Sequence, residues 1–78
     1  MPASVTRDDR RRRRHRARVA AAAYLADKGY PDARPSRIAV VAPDCWVFTY
    51  LLPDGRLELE VADTPDGWQW HVRAFRPA

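Results

Sequence analysis

Residues 46–75 read WVFTYLLPDGRLELEVADTPDGWQWHVRAF, and this stretch decides the fold. Two Pro-Asp-Gly triplets, at 53–55 and 65–67, divide it into three runs that are rich in β-branched and aromatic residues. Proline presets φ for the first central residue of a turn, and aspartate tolerates the second central position. Each triplet is therefore typical of a hairpin, and the stretch predicts three antiparallel strands.

The faces of these strands follow from alternation. Apolar residues at 57, 59 and 61 alternate with charged ones, and Trp68, Trp70, Val72 and Ala74 form an apolar row. Hairpin loops with an even number of residues put the aromatic residues of the first run on the same face. A three-residue loop would instead place those aromatics beside Glu58 and Glu60. Because burying a large apolar side chain is worth ~1.5–3 kcal/mol, we predict the even register.

Upstream of this stretch, the sequence predicts a fourth strand and one helix. The run RIAVV at 37–41 lies between prolines and is typical of a strand, either paired beside the second strand or forming an extended edge. Thr6 with Asp9 resembles a helix start, and Lys28-Gly29 followed by prolines resembles a stop. The expected helix has about 21 residues and a length of about 32 Å.

The predicted fold class is α+β, with one N-terminal helix packed on a three- to four-stranded antiparallel meander in the order α-β-β-β-β. The stripe expected to cover the sheet is Val19, Ala22, Ala23 and Ala26. Strands of about 20 Å are shorter than the helix, so residues 7–18 are expected to overhang. Residues 7–78 would form a single small domain, preceded by a disordered N-terminus at residues 1–6.

The positive charge is concentrated in that overhang. Eight Arg against two Asp give +6 in residues 1–18, whereas six Lys or Arg against eight Asp or Glu give −2 in the remaining sixty. Arginines neutralise phosphates and can fork onto guanine edges. We therefore predict a nucleic-acid-binding module, for DNA or RNA, that contacts the phosphate backbone through Arg10, Arg11, Arg12, Arg13, Arg14, Arg16 and Arg18.

Other interpretations of the same charge remain open. The arginine run could be a solvated tail, since basic runs are weakly specific signals. The protein could instead be a protein-interaction module, acting as an inhibitor, an adaptor or a homodimer. It would then bind an acidic partner through the helix or pair through a sheet edge or an aromatic patch. A membrane surface is disfavoured because no bulky apolar residue accompanies the arginines.

Catalytic function is not expected. The sequence contains no His/Cys/Asp spacing typical of zinc sites, no paired nucleophile and base, and no phosphate-cradling glycine loop, so we expect neither metal nor cofactor. Cys45 is the only cysteine, which favours a reducing cytoplasmic location. No apolar run approaches the roughly 20 residues that cross a bilayer.

Overall fold

A computed structural model describes residues 7–78, with side chains described from Asp8 onward. The four strands are all antiparallel to their neighbours and lie in the order β1-β2-β3-β4. This confirms the predicted fold class, and it places the first strand beside the second. The expectations for residues 1–6, disorder and a Thr6 cap, lie outside the described residues. The elements are α1 (Arg7–Asp27), β1 (Pro35–Ala42), β2 (Cys45–Leu52), β3 (Gly55–Thr64) and β4 (Gly67–Pro77).

The hairpins that join β2 to β3 and β3 to β4 have the even register. Leu52 pairs with Gly55, and Thr64 pairs with Gly67, so each loop consists of one Pro-Asp pair. As a result Trp46, Phe48 and Tyr50 lie opposite Val61, Leu59 and Leu57 on one face. The predicted register is confirmed, and its cause is burial, because the odd register would have put aromatic rings beside glutamates.

Glycine follows each of these two turns for a steric reason. Proline cannot adopt the positive φ that the usual two-residue hairpin turns require, so the left-handed residue comes after the turn. Gly55 has φ of 151° and Gly67 has φ of 109°. A Cβ on Gly55 would also lie 2.2 Å from the carbonyl oxygen of Arg76, whereas nothing lies within 4 Å of a Cβ on Gly67.

A bulge in β4 changes the predicted faces of that strand. Glu58 pairs with Ala74 and Leu59 pairs with Val72, which leaves Arg73 as the additional residue. Beyond the bulge the alternation is inverted, so Phe75 lies opposite Leu57 on the helix-facing side. The expectation that Ala74 joins the apolar row and Phe75 opposes it is therefore wrong.

The helix packs on the sheet through a different stripe from the predicted one. Val19 is 56% exposed, and Ala22, Ala23 and Ala26 are also exposed. The physical reason is anchoring by larger groups. Leu25 is buried, and the Trp70 indole N–H donates to the Ala20 carbonyl oxygen at 2.9 Å. The buried stripe consists of Ala17, Ala20, Ala21 and Leu25.

The core lies between this stripe and the centre of the sheet. Its largest fully buried side chains are Phe48 and Tyr50 of β2, Leu59 and Val61 of β3, and Leu25 of the helix. Among the described elements, the helix contacts β2, β3 and β4 but not β1. The helix-facing side of β1 is therefore only partly covered: Ile38 packs against the core, whereas Val40 is 66% exposed.

Candidate functional site

The seven predicted arginines all lie on the first two thirds of α1, and all seven are exposed. Every residue from Arg10 to Arg16 is exposed, and Ala17 is the first buried position of the helix. At 1.5 Å per residue, Arg10 to Arg18 spans about 12 Å. The arginines therefore form one dense basic segment at the end of the helix that does not pack on the core.

Helical phase divides this basic segment into two sides. Arg10, Arg13 and Arg14 precede Ala17 by seven, four and three residues, so they continue the core-side stripe beyond its buried part. Arg12 and Arg16 precede the exposed Val19 by seven and three residues, so they share its side of the helix and face away from the sheet. One helix consequently presents arginines both outward to solvent and inward above the end of the sheet.

The inward arginines line a groove that is open to solvent. Its volume is about 610 Å³. Its floor is apolar, and the exposed part of that floor is Val40 and Pro43, because Trp46 is only 3% exposed. We call this the arginine groove; it is lined by Arg10, Arg11, Arg13 and Arg14 of the helix and by Val40, Pro43 and Trp46 of the first hairpin.

One acidic side chain lies at the rim of the arginine groove. The Arg13 guanidinium is 3.4 Å from a carboxylate oxygen of Asp44, in the turn between β1 and β2, and both side chains are about half exposed. Asp8 and Asp9 precede the set in the same helix. The seven arginines outnumber these three carboxylates, so the basic segment keeps a net positive charge.

A second, smaller cavity lies nearer the C-terminal end of the helix. It has a volume of about 290 Å³ and lies between α1 and the chain that enters β1, with Arg18, Arg34 and Tyr50 among its lining residues. Burial raises the pKa of Tyr50 to about 12, although the nearby positive charge of Arg18 acts in the opposite direction. Basic side chains therefore extend from the groove towards the C-terminal end of the helix.

The other potentially reactive side chains, Cys45, Tyr30 and Ser36, have surroundings that do not activate them as nucleophiles. Burial, followed by the charge of Glu60, raises the pKa of the Cys45 thiol, while Arg73 acts in the opposite direction. A protonated thiol is a poor nucleophile. The Tyr30 hydroxyl donates to Asp54, which raises the pKa of Tyr30. The Ser36 hydroxyl donates to the Thr49 carbonyl oxygen.

Two further properties bear on function. Within residues 7–78, no group of three or more His, Cys, Asp or Glu side chains is arranged to hold a metal ion. The same part of the chain contains no helix that combines the length and the apolar character needed to cross a bilayer.

Sequence reasoning identified the basic segment but not the arginine groove. The groove depends on the helix phase, and the predicted stripe of Val19, Ala22 and Ala26 placed the inward side incorrectly. One signal was present in the sequence. Leu25 is the largest aliphatic side chain of the helix, and counting back from it in steps of three and four leads through Ala21 and Ala17 to Arg14 and Arg10.

Comparison with known proteins gives no match: no family model, no curated protein and no solved structure is similar to this chain. The function is therefore argued from the geometry alone.

Proposed function

We propose that this protein is a small, non-enzymatic nucleic-acid-binding module whose basic helix segment contacts the phosphate backbone. The observation that carries the proposal is the seven exposed arginines, which outnumber the neighbouring carboxylates of Asp8, Asp9 and Asp44. Phosphates would neutralise this segment and release counterions, a favourable contribution that exists only for a polyanion. A cytoplasmic location, where nucleic acids are present and Cys45 stays reduced, belongs to the same proposal.

The dimensions of the segment support this proposal. An α-helix with its side chains is about 10–12 Å across, and the major groove of B-DNA is about 12 Å wide. The outward arginines, such as Arg12 and Arg16, are free of contacts with the sheet by virtue of their helical phase. Like charges at i and i+4, for example Arg12 and Arg16, repel each other in the free protein. A bound phosphate would relieve that repulsion.

The test is binding to a short blunt DNA duplex and to an RNA hairpin across a range of salt concentrations. If five to seven phosphates are neutralised, the logarithm of the binding constant falls with the logarithm of salt with a slope of about −4 to −6. Replacing Arg11, Arg12 and Arg16 together by Gln should make the slope shallower by roughly 2 to 3.

The matched control replaces Arg37, Arg73 and Arg76 by Gln. It removes the same charge from exposed positions of the sheet and should leave the slope nearly unchanged. If the two triple variants make the salt slope shallower by the same amount, net charge rather than the helix segment drives binding. The proposal fails if neither nucleic acid binds at low salt.

A specific observation also favours the alternative of a protein-interaction module. On the helix-facing side of β4, Trp70, Val72 and Phe75 are 42%, 40% and 46% exposed. This forms an apolar row on an edge strand, where homodimers commonly pack. The Arg73 bulge disfavours strand pairing at that edge, so the second candidate function is a homodimer that packs face to face through this row.

Sedimentation equilibrium tests this second candidate. Val72→Lys should convert a dimer to a monomer, because it places a charge in the centre of the apolar row. Leu51→Lys is the matched control, since Leu51 is 70% exposed and lies on β2, outside that row. A monomer at high micromolar concentration in the unmodified protein would exclude the dimer.

A further inference from the structure

We propose that the arginine groove binds one unpaired nucleotide, so that the preferred nucleic acid is a duplex with a single-stranded end. This inference rests on the proposed function and makes its ligand more specific. The outward arginines would contact the duplex backbone, and the groove would receive the nucleotide beyond the last base pair.

The chemistry of the groove defines its ligand. One wall is lined by four arginines, and the floor is apolar, with Val40 66% exposed. A suitable ligand must therefore carry negative charge on one side and a flat apolar surface on the other. The volume of about 610 Å³ lies within the range of roughly 300–1,000 Å³ that is typical of small-ligand sites.

A nucleotide satisfies both requirements in one unit. Its phosphate can accept paired hydrogen bonds from a guanidinium group, and an unstacked base presents a flat face for packing on side chains. A continuous duplex satisfies only the first requirement, because its bases are stacked inside and its phosphates face outward. The floor formed by Val40 and Pro43 would then remain uncovered.

The positions of the arginines also favour an anion in the groove. Arg10 and Arg14 are four residues apart on the same side of the helix, where like charges repel. They lie above apolar residues, where water can solvate them from fewer directions than on the outward side. The Asp44 carboxylate lies at the rim of the groove, 3.4 Å from the Arg13 guanidinium. A phosphate would supply the missing counter-charge.

An acidic peptide with an aromatic side chain has similar features. The nucleotide is favoured because a phosphate matches the fork of a guanidinium group at each contact, and because the adjoining outward arginines suit the duplex that continues from it. The peptide is therefore treated as a competing outcome of the test.

The experiment compares three probes of identical core sequence: a blunt 12-base-pair DNA duplex, and the same duplex with a two-nucleotide overhang on its 3′ or its 5′ ends. Fluorescence anisotropy at fixed salt should show at least tenfold tighter binding for one of the overhang probes. Val40→Glu, which places a carboxylate on the floor, should abolish the difference between overhang and blunt probes.

The matched control is Val41→Glu. It adds the same charge at the next residue, which is 48% exposed and does not line the groove. This variant should retain the overhang preference, and each variant is compared through its own ratio of overhang to blunt affinity. Circular dichroism checks that each variant is folded.

A second measurement makes the groove testable without the duplex. Titration with a 5′-phosphorylated dinucleotide should shift the amide resonances of Val40 and the indole resonance of Trp46 in two-dimensional NMR spectra. If these resonances shift while no duplex binds, the backbone-binding function fails and the groove site stands.

Four results would overturn the groove proposal. They are equal binding of blunt and overhang probes, equal effects of the Val40 and Val41 variants, absence of shifts with the dinucleotide, and stronger competition by an acidic aromatic peptide than by the overhang probe. In the first two cases, retained binding of the blunt duplex would leave the proposed function intact.

Discussion

Asp44 competes with any anion for Arg13. Its carboxylate lies 3.4 Å from the Arg13 guanidinium at the rim of the groove, and an exposed ion pair of this kind is worth about 0.2–1 kcal/mol. Asp44→Asn frees Arg13 and removes a negative charge, while asparagine is equally suited to the turn. We expect the affinity for a nucleic acid to rise about two- to fivefold, as measured by anisotropy at low salt.

The control for this prediction is Asp66→Asn. Asp66 occupies the same position of a Pro-Asp turn at the same end of the sheet, but no contact with an arginine involves its side chain among the described residues. It should raise the affinity less than Asp44→Asn does. If the two substitutions have the same effect, the gain comes from net charge and not from Arg13.

The pKa of the Tyr50 hydroxyl provides a prediction about burial in the core. Burial raises the pKa of its hydroxyl to about 12, compared with an ordinary value near 10. Because the folded-state pKa is the higher one, the associated stability is complete below pH 10 and is lost as the pH rises towards 12. In spectrophotometric titration at 295 nm, the difference between the unmodified protein and Tyr50→Phe should have its midpoint near pH 12. A midpoint near pH 10 would mean that the Tyr50 hydroxyl is solvated.

Among the structural elements, the β2–β3 hairpin depends most on a single residue. Gly55 combines a positive φ with a backbone contact that leaves no room for a Cβ, since Arg76 O would lie 2.2 Å from it. We expect Gly55→Ala to lower the free energy of unfolding by about 3 kcal/mol or more. Gly67→Ala, which meets no atom, should cost only about 1–2 kcal/mol, from backbone strain. Urea unfolding measures both, and equal losses would mean that the chain shifts to accommodate Gly55→Ala.

The helix contains neighbouring arginines whose mutual repulsion lowers its stability. Arg16 lies four residues after Arg12 and three after Arg13, and no charged residue lies three or four positions after it. Arg16→Glu replaces two repulsive pairs by attractive ones, a change of at least about 0.5–1 kcal/mol in favour of the folded state. At low salt the melting temperature should rise by roughly 2–6 °C, while the affinity for nucleic acid falls.

This opposition between stability and binding distinguishes a binding surface from a solvated tail. Arg16→Gln is the intermediate control and should have about half of each effect. If Arg16→Glu stabilises the protein without weakening binding, the outward side of the helix is not part of the interface. Melting curves at high salt should converge, because the pair interaction is screened.

The elements differ in how far their sequence predicts them. The hairpins are predicted correctly because Pro53-Asp54 and Pro65-Asp66 locate the turns and the burial of alternating apolar residues selects the register. The side of the helix that faces the sheet is not predicted correctly, because alanines occur on all sides of the helix and give only a weak apolar stripe. A hydrogen bond from Trp70 to Ala20, fifty residues apart, determines which alanines are buried, and no local pattern contains that information.

At the scale of the whole molecule, the helix sits off the centre of the sheet. It contacts β2, β3 and β4 but not β1, and the end of β1 at Val40 is left exposed, which is why the groove exists beside the first hairpin. The sequence predicted the overhang from strands of about 20 Å, and that length is wrong, because β3 and β4 have 10 and 11 residues and are about as long as the 21-residue helix. The lateral offset depends on how side chains of different size, such as Leu25 and the alanines of the helix, fill the core, and lengths do not specify it.

The connectivity of the sheet has a consequence for the order of folding. Each strand pairs with its neighbour in sequence, and each hairpin loop contains two residues, so the contacts of the sheet have short sequence separation and should form quickly. The helix joins the sheet through contacts such as Trp70 with Ala20, which span most of the chain. We therefore expect the sheet to form first and the helix to dock late, when the transition state has been passed.

If the helix docks after the sheet has formed, the mutual repulsion of the arginines affects the free energy only after the rate-limiting step of folding. A polyanion that neutralises them should slow unfolding and leave the refolding rate almost unchanged, which stopped-flow chevron plots with and without heparin would show. A protein built this way folds at the same speed with or without its partner. The partner then determines how long the fold persists.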